Sequence, residues 1–349
     1  MSSLQDFLDS AVASGAAPGA AARVARDGTV EIAAAGGIEP DSIVRIASLT
    51  KPITAAALML LVDEGRVALD DPIARWLPEL AAPKVVRTPE GPLDDLVPAA
   101  RPITVEDLLT SRAGWGFPSD FSLPAVVALF ERLPVFGTRE APDDWLQTLA
   151  SVPMLRQPGE AWLYNTCSDI QGVLIARVSG GPLPEFLAER VFEPLGITDT
   201  GFHVPAEKQH RIPRLHGSID ESIWLQPPIF PSGSGGLAST LADWHRFARM
   251  LLADGGGLLS PDSVRLMTTD HLTQEQRDAS TVFLEGAGWG FGGAVSADGR
   301  YGWIGGTGTT AHVAPSSGTI GVLYTQVQMA GPTPTPLMRT FWRYAFGVS

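Results

Sequence analysis

Leu4, Phe7, Leu8 and Val12 recur at three- and four-residue spacing, so the chain opens on an amphipathic helix. Two short runs of small and apolar residues, 20–24 and 30–34, flank Asp27-Gly28, a strong hairpin signal. An extended stretch over 42–46 leads into Ser48. From Thr50 the period turns helical, with Ile53, Ala56, Ala57, Leu60 and Leu61 on the recurring positions until Gly65 ends the run. Pro52 falls in the first turn, where its missing N–H costs nothing.

Prolines and Asp-Asp pairs break the pattern over 69–102, which reads as a long surface connection carrying short helices. Helical spacing returns over 105–111, 125–133, 143–151, 169–178, 183–191, 241–253 and 261–269. Strand character reappears over 301–304 and 319–328, and Leu337, Phe341 and Phe346 mark a closing helix over 336–346. Strands at both ends and helices between them give an α/β (α+β) fold: an antiparallel sheet flanked by the terminal helices, with an inserted, mainly helical domain. The expected division is 1–68 and 272–349 for the sheet-containing domain and 69–271 for the helical one, with the active site at their interface.

Composition narrows the function. A chain of 349 residues with 44% hydrophobic and 18% charged residues buries a sizeable core. The formal net charge of −13 repels polyphosphate and anionic lipid, so neither nucleic acid nor membrane is an expected partner. No run reaches the roughly 18 apolar residues of a membrane span. The opening residues lack a basic segment followed by a long apolar one, so export is not expected, and Cys167, the single cysteine, fits a reducing cytoplasm. His203, His210, His216, His245, His271 and His312 form no H-E-x-x-H pattern, and no metal or other cofactor is expected. No G-x-S-x-G nucleophile elbow occurs.

Three stretches carry chemistry. In Ala47-Ser48-Leu49-Thr50-Lys51-Pro52, Ser48 and Lys51 lie three apart at a helix start and emerge on one face. A serine hydroxyl needs a base within hydrogen-bond reach, and a lysine serves once desolvation lowers its pKa toward neutrality. The helix start adds N–H groups for a developing oxyanion. In Pro158-Gly159-Glu160-Ala161-Trp162-Leu163-Tyr164-Asn165-Thr166, the Tyr164 phenol is placed to share the serine's proton. In Trp303-Ile304-Gly305-Gly306-Thr307-Gly308-Thr309-Thr310, glycines at a strand end permit close approach of a substrate, and an edge N–H there suits an oxyanion. Trp162, Trp289 and Trp303 lie near these stretches and are candidates either for an apolar pocket or for plain core packing.

Taken in this order, the three stretches resemble the serine β-lactamase and penicillin-binding protein superfamily. The nearer resemblance is to the class C β-lactamase-like group, which includes family VIII carboxylesterases, DD-peptidases and acyltransferases. Leu69-Asp70-Asp71-Pro72, Ile103 to Thr110, Phe192 to Ile197 and Ser234 to Thr240 extend it from about Pro18 to the C-terminus. The resemblance implies an acyl-enzyme on Ser48, with Lys51 and Tyr164 handling its proton. It also implies an oxyanion hole at the N–H groups of Ser48 and Thr309. Thr166, Gly306, Thr307, Gly308 and His312 become candidates for substrate contact.

Two departures matter. The second motif, commonly Tyr-x-Asn, has Thr166 in third place and Asn165 in the middle. Gly306 stands where the third motif usually begins with a cation. A substrate carboxylate then lacks its partner, which favours a neutral ester of a small or medium acyl group. β-Lactam, DD-peptide or D-amino-acid amide cleavage and acyl transfer are the alternatives on the same residues. A non-catalytic penicillin-binding-like module is the alternative of another class. The expected partner is a small acyl substrate.

Overall fold

A computed structural model of the chain describes residues 3–134, 140–325 and 327–347. Helix α1 (Leu4–Ala13) starts on a capping box, Ser3 bonding the Asp6 N–H and Asp6 returning to the Ser3 N–H. Strands β1 (Gly19–Arg26) and β2 (Thr29–Gly36) form the hairpin expected around Asp27-Gly28. Helix α2 (Thr50–Asp63) follows a single 3₁₀ turn, Ala47–Leu49. Its residues from Thr50 to Leu61 are all buried, so it is a central core helix rather than a half-exposed one.

Downstream, helix α3 (Thr166–Ser179) packs on α2, and helix α4 (Leu241–Leu252) is followed by the shorter helices Pro261–Met267, Gln274–Ala279 and Thr281–Leu284. Strands β3 (Gly288–Trp289), β4 (Ala294–Val295), β5 (Tyr301–Gly305), β6 (Thr309–Ala314) and β7 (Thr319–Thr325) return to the sheet, and helix α5 (Pro336–Phe346) ends it. The seven-stranded sheet runs β2-β1-β7-β6-β5-β4-β3, each neighbouring pair antiparallel. The first and last segments of the chain therefore meet at β1 and β7, with Ala22 opposite Leu323.

Alternation along the strands separates two cores. On one face Ala20, Ala22 and Val24 of β1 pack with Leu4, Leu8, Phe341 and Ala345 of the terminal helices. On the other face Ala311, Val313, Ile320 and Val322 join the large core around α2 and α3. The architecture is the antiparallel sheet with terminal helices and helical insertion that the sequence pattern implies.

Details differ. The 69–102 stretch holds a small ribbon, Lys84–Val86 against Leu96–Pro98, besides its 3₁₀ turns. The 183–191 helix passes into a π-turn at Ala188–Phe192. The last strand is described over Thr319–Thr325, and residue 326 of the expected 319–328 run lies outside the described residues. Strand β6 was not evident in the pattern because it is buried on both faces and is half polar, Thr-Thr-Ala-His-Val-Ala. No described helix is long and apolar enough to cross a membrane.

Candidate active site

Ser48 sits in the tight turn that opens α2. Its predecessor Ala47 adopts φ 44°, a left-handed conformation unfavourable for a side-chain-bearing residue. That strain is held by surrounding contacts: Ile46 N–H bonds Leu237 O at 3.0 Å, and the Ile46 carbonyl accepts from Thr309 Oγ1 at 3.1 Å. The turn leaves Ser48 partly exposed while Lys51, one turn further, is buried.

The Lys51 ammonium nitrogen has three oxygen neighbours. It donates to Ser48 Oγ at 3.0 Å, to Asn165 Oδ1 at 2.8 Å and to the Ser234 carbonyl at 2.7 Å. It also lies 4.4 Å from the centre of the Tyr164 ring. Burial pushes its pKa down to about 7, while the negative field of Asp169 acts in the opposite sense. A lysine so placed can shed its proton near neutral pH, freeing a lone pair toward Ser48 Oγ.

Tyr164 is fixed by two backbone hydrogen bonds with Phe117, both 3.0 Å. Its hydroxyl faces the Ser48 side chain, which acts to lower its pKa, and accepts from the Trp303 indole N–H at 2.7 Å. Burial pushes the phenol up to about 12, these two neighbours only partly offsetting it. The hydroxyl, amine and phenol thus converge from two helix starts, and Trp303 of β5 holds the phenol.

Asn165 takes φ 83° at the start of α3, turning its amide oxygen onto Lys51. The middle residue of the second motif therefore supplies a side-chain oxygen to Lys51. Thr166 is buried beside the adjoining cavity.

The third motif is displaced from its expected register. Thr309 is wholly buried inside β6, paired with Gly305 on one side and Tyr324 on the other, so its N–H lies within the sheet and not toward Ser48. Thr307 turns its hydroxyl onto the Arg45 carbonyl at 2.5 Å and is buried there. Gly308, at φ 83°, is required because a Cβ would collide with Thr325 Oγ1 and Val327 O. Gly306 alone of these four is open, with nothing within 4 Å of where a Cβ would stand. The carbonyl of Gly305 accepts from Gly308 N–H at 3.0 Å; in the same planar peptide, the Gly306 N–H must point the opposite way, on the side of β5 left unpaired beyond its short contact with β4. Among the described residues that N–H has no protein acceptor.

His312 faces away from Ser48. Alternation along β6 sends it with Thr310 toward α5, where its ring lies 5.0 Å from that of Trp342. Its expected place in the substrate pocket is corrected accordingly.

A cavity of about 240 Å³ adjoins the site, reaching Asn165, Thr166, Gly235 and Gly236. Phe117, Leu129, Trp145, Phe202, Trp224 and Phe230 give it an apolar wall. Its described lining contains no Lys or Arg. Trp162 and Trp289 are not part of this wall; with Phe283 and Trp303 they pack around Tyr164. Asn165, Trp303, Ser234 and Asp169 were not placed in the site by motif reading. The signals were present in Asn165 and Asp169 one helical turn apart and in the Ser-Gly-Ser-Gly-Gly run at 232–236.

The class that fold and site define is a serine hydrolase, carboxylesterase-like, on the β-lactamase fold. The chain belongs to the Beta-lactamase family, which matches residues 4–337. It is 41% identical over 313 residues to Protein Rv1367c of Mycobacterium tuberculosis, spanning 81% of this chain and 77% of that one. It is 30% identical over 313 residues to Esterase EstB of Burkholderia gladioli, spanning 78% and 74%. The solved structure of EstCE1, a hydrolase with promiscuous acyltransferase activity, superposes with a TM-score of 0.80 over 97% of both chains at 22% identity, a likeness of fold.

Proposed function

We propose that the protein is a carboxylesterase acting on small or medium acyl esters through an acyl-enzyme on Ser48. The observation that carries this is the 3.0 Å hydrogen bond from a buried Lys51 to Ser48 Oγ, with Tyr164 on the same hydroxyl. In this reading the site lies where 1–68 and 272–349 meet 69–271, and the lone buried thiol of Cys167 supports a cytoplasmic setting.

The two pKa values divide the labour. At neutral pH Lys51 stands near its titration point, whereas Tyr164 stays protonated. Lys51 therefore takes the Ser48 proton as Oγ attacks the ester carbonyl, and Tyr164 passes a proton to the departing alkoxide. The oxyanion is held by the N–H groups of Ser48 and Gly306, the second replacing Thr309 in that role. Water then attacks the acyl-enzyme with the same groups acting in reverse.

The cavity supports a neutral acyl group. At about 240 Å³ it is smaller than the ~300–1,000 Å³ typical of drug-sized ligands, and its apolar wall offers no cation to a carboxylate. Hydrolysis of p-nitrophenyl butyrate, with an acyl or phosphonyl adduct seen by intact mass and lost in Ser48→Ala, tests the reading. Turnover unchanged in Ser48→Ala would refute it, and nitrocefin turnover above ester turnover would reassign the substrate.

A further inference from the structure

We propose that Asp169 is a positioning residue for Lys51: it clamps the Ser234 backbone that orients the amine, and its charge supports the ammonium formed when Ser48 gives up its proton. This rests on the reading of Lys51 as the base.

The clamp is made by one residue. Ser234 presents its carbonyl to Lys51 Nζ at 2.7 Å and its own N–H to Asp169 Oδ1 at 3.0 Å. Asp169 also accepts from Ser234 Oγ at 2.9 Å and from Ser232 Oγ at 2.7 Å. Burial raises the Asp169 carboxyl above its ordinary range; the Ser232 and Ser234 donors and the Lys51 charge oppose that, and acceptance at both oxygens is the pattern of an ionised group. Such a carboxylate, buried against a cavity wall that is otherwise uncharged among its described residues, has its three donors supplied by a single short loop. That loop is pressed onto α3, since a Cβ at Gly233 would collide with the Ser168 carbonyl. Asp169 lies one turn beyond Asn165, so the start of α3 supplies both one oxygen partner of Lys51 and the anchor of another.

Other groups nearby do not supply this charge. Tyr164 and Cys167 are both pushed up to about 12 by burial and stay neutral. Asp107, on the helix Val105–Leu109 packed against α3, is bound by Arg101 at 2.6 Å; Glu106 of the same helix pairs with Arg112. Glu185, on the helix Leu183–Leu187, is exposed. Asp169 is thus the carboxylate whose field reaches Lys51, opposing the desolvation that otherwise depresses its basicity.

The test is the pH dependence of Ser48 phosphonylation by a fluorophosphonate, read by intact mass and independent of the natural substrate. The unsubstituted protein should show an acid limb centred near pH 7. In Asp169→Asn the limb should move down by about one pH unit, because a less supported ammonium loses its proton sooner, and the plateau rate should fall at least about ten-fold. A folded Asp169→Asn protein with an unmoved limb overturns the proposal, since a merely structural aspartate would leave the titration in place. Should Asp169→Asn fail to fold, Ser232→Ala/Ser234→Ala strips two donors from the carboxylate and favours its neutral form. It should shift the limb in the same direction by less; no shift, or an upward one, overturns the proposal. No Ser48 adduct in the unsubstituted protein would instead remove the hydrolase site, and this proposal with it.

Discussion

The indole N–H of Trp303 donates to the phenol oxygen of Tyr164 at 2.7 Å, tying β5 to the start of α3. A donor on that oxygen favours the phenolate and so makes Tyr164 a better acid. Trp303→Phe should therefore slow reactions whose leaving group needs a proton more than those whose leaving group does not. We expect about a ten-fold loss in kcat on an alkyl ester and a smaller one on the p-nitrophenyl ester of the same acid. Equal losses on both would remove the hydrogen bond from the acid step.

Lys51 sets the pH dependence. Its pKa near 7 means that below pH 7 the amine is occupied by a proton and cannot take another from Ser48. kcat/KM should fall about ten-fold per unit below that point and level off above it. Lys51→Ala should cost about 10³-fold or more, and a flat profile between pH 5 and 9 in the unsubstituted enzyme would contradict the assignment.

Adjacent glycines separate oxyanion support from packing. Gly306→Ala should leave fold and turnover within about two-fold, because the added methyl meets open space and the N–H is kept. Gly305→Ala should destabilise the protein by about 1–3 kcal/mol and lower activity, since the methyl would collide with Ile46 O and Thr309 Oγ1 beside the nucleophile's turn. Urea melts and steady-state rates on the two variants distinguish them.

His312 bears on acid stability rather than turnover. Burial, helped by Arg300, pushes its pKa down to about 3, against about 6.5 in an unfolded chain. The unfolded state thus binds a proton first as pH falls, so the stability tied to a neutral His312 is intact above pH 6.5 and is lost progressively toward pH 3. His312→Leu should flatten that loss by up to a few kcal/mol and leave kcat/KM within about two-fold. A large drop in kcat/KM would return His312 to the pocket.

What sequence pattern conveyed was local. The Asp27-Gly28 hairpin, helix α2 and the Ser48–Lys51 spacing are each decided by neighbouring residues, and each stands as expected. Strand β6 escaped because period-two reading needs a solvent face, and β6 has none. The proposed oxyanion donor, Gly306, stands three residues before Thr309, because glycine and threonine letters match a motif equally well at several offsets. Peptide orientation at the edge of β5 decides among them, and that depends on pairing with β6. Asp169 was invisible for a related reason: its partners Ser232 and Ser234 lie more than 60 residues downstream.

Cys167, next to Thr166 in the first turn of α3, is fully buried, its thiol pushed up to about 12. As the chain's single sulfhydryl, it is unreactive toward alkylating reagents while the helix stays closed. Modification of this one atom therefore counts openings of the α3 segment that carries Asn165, Thr166 and Asp169. The molecule holds its own clock for how often that segment comes apart, readable by mass without any added label site.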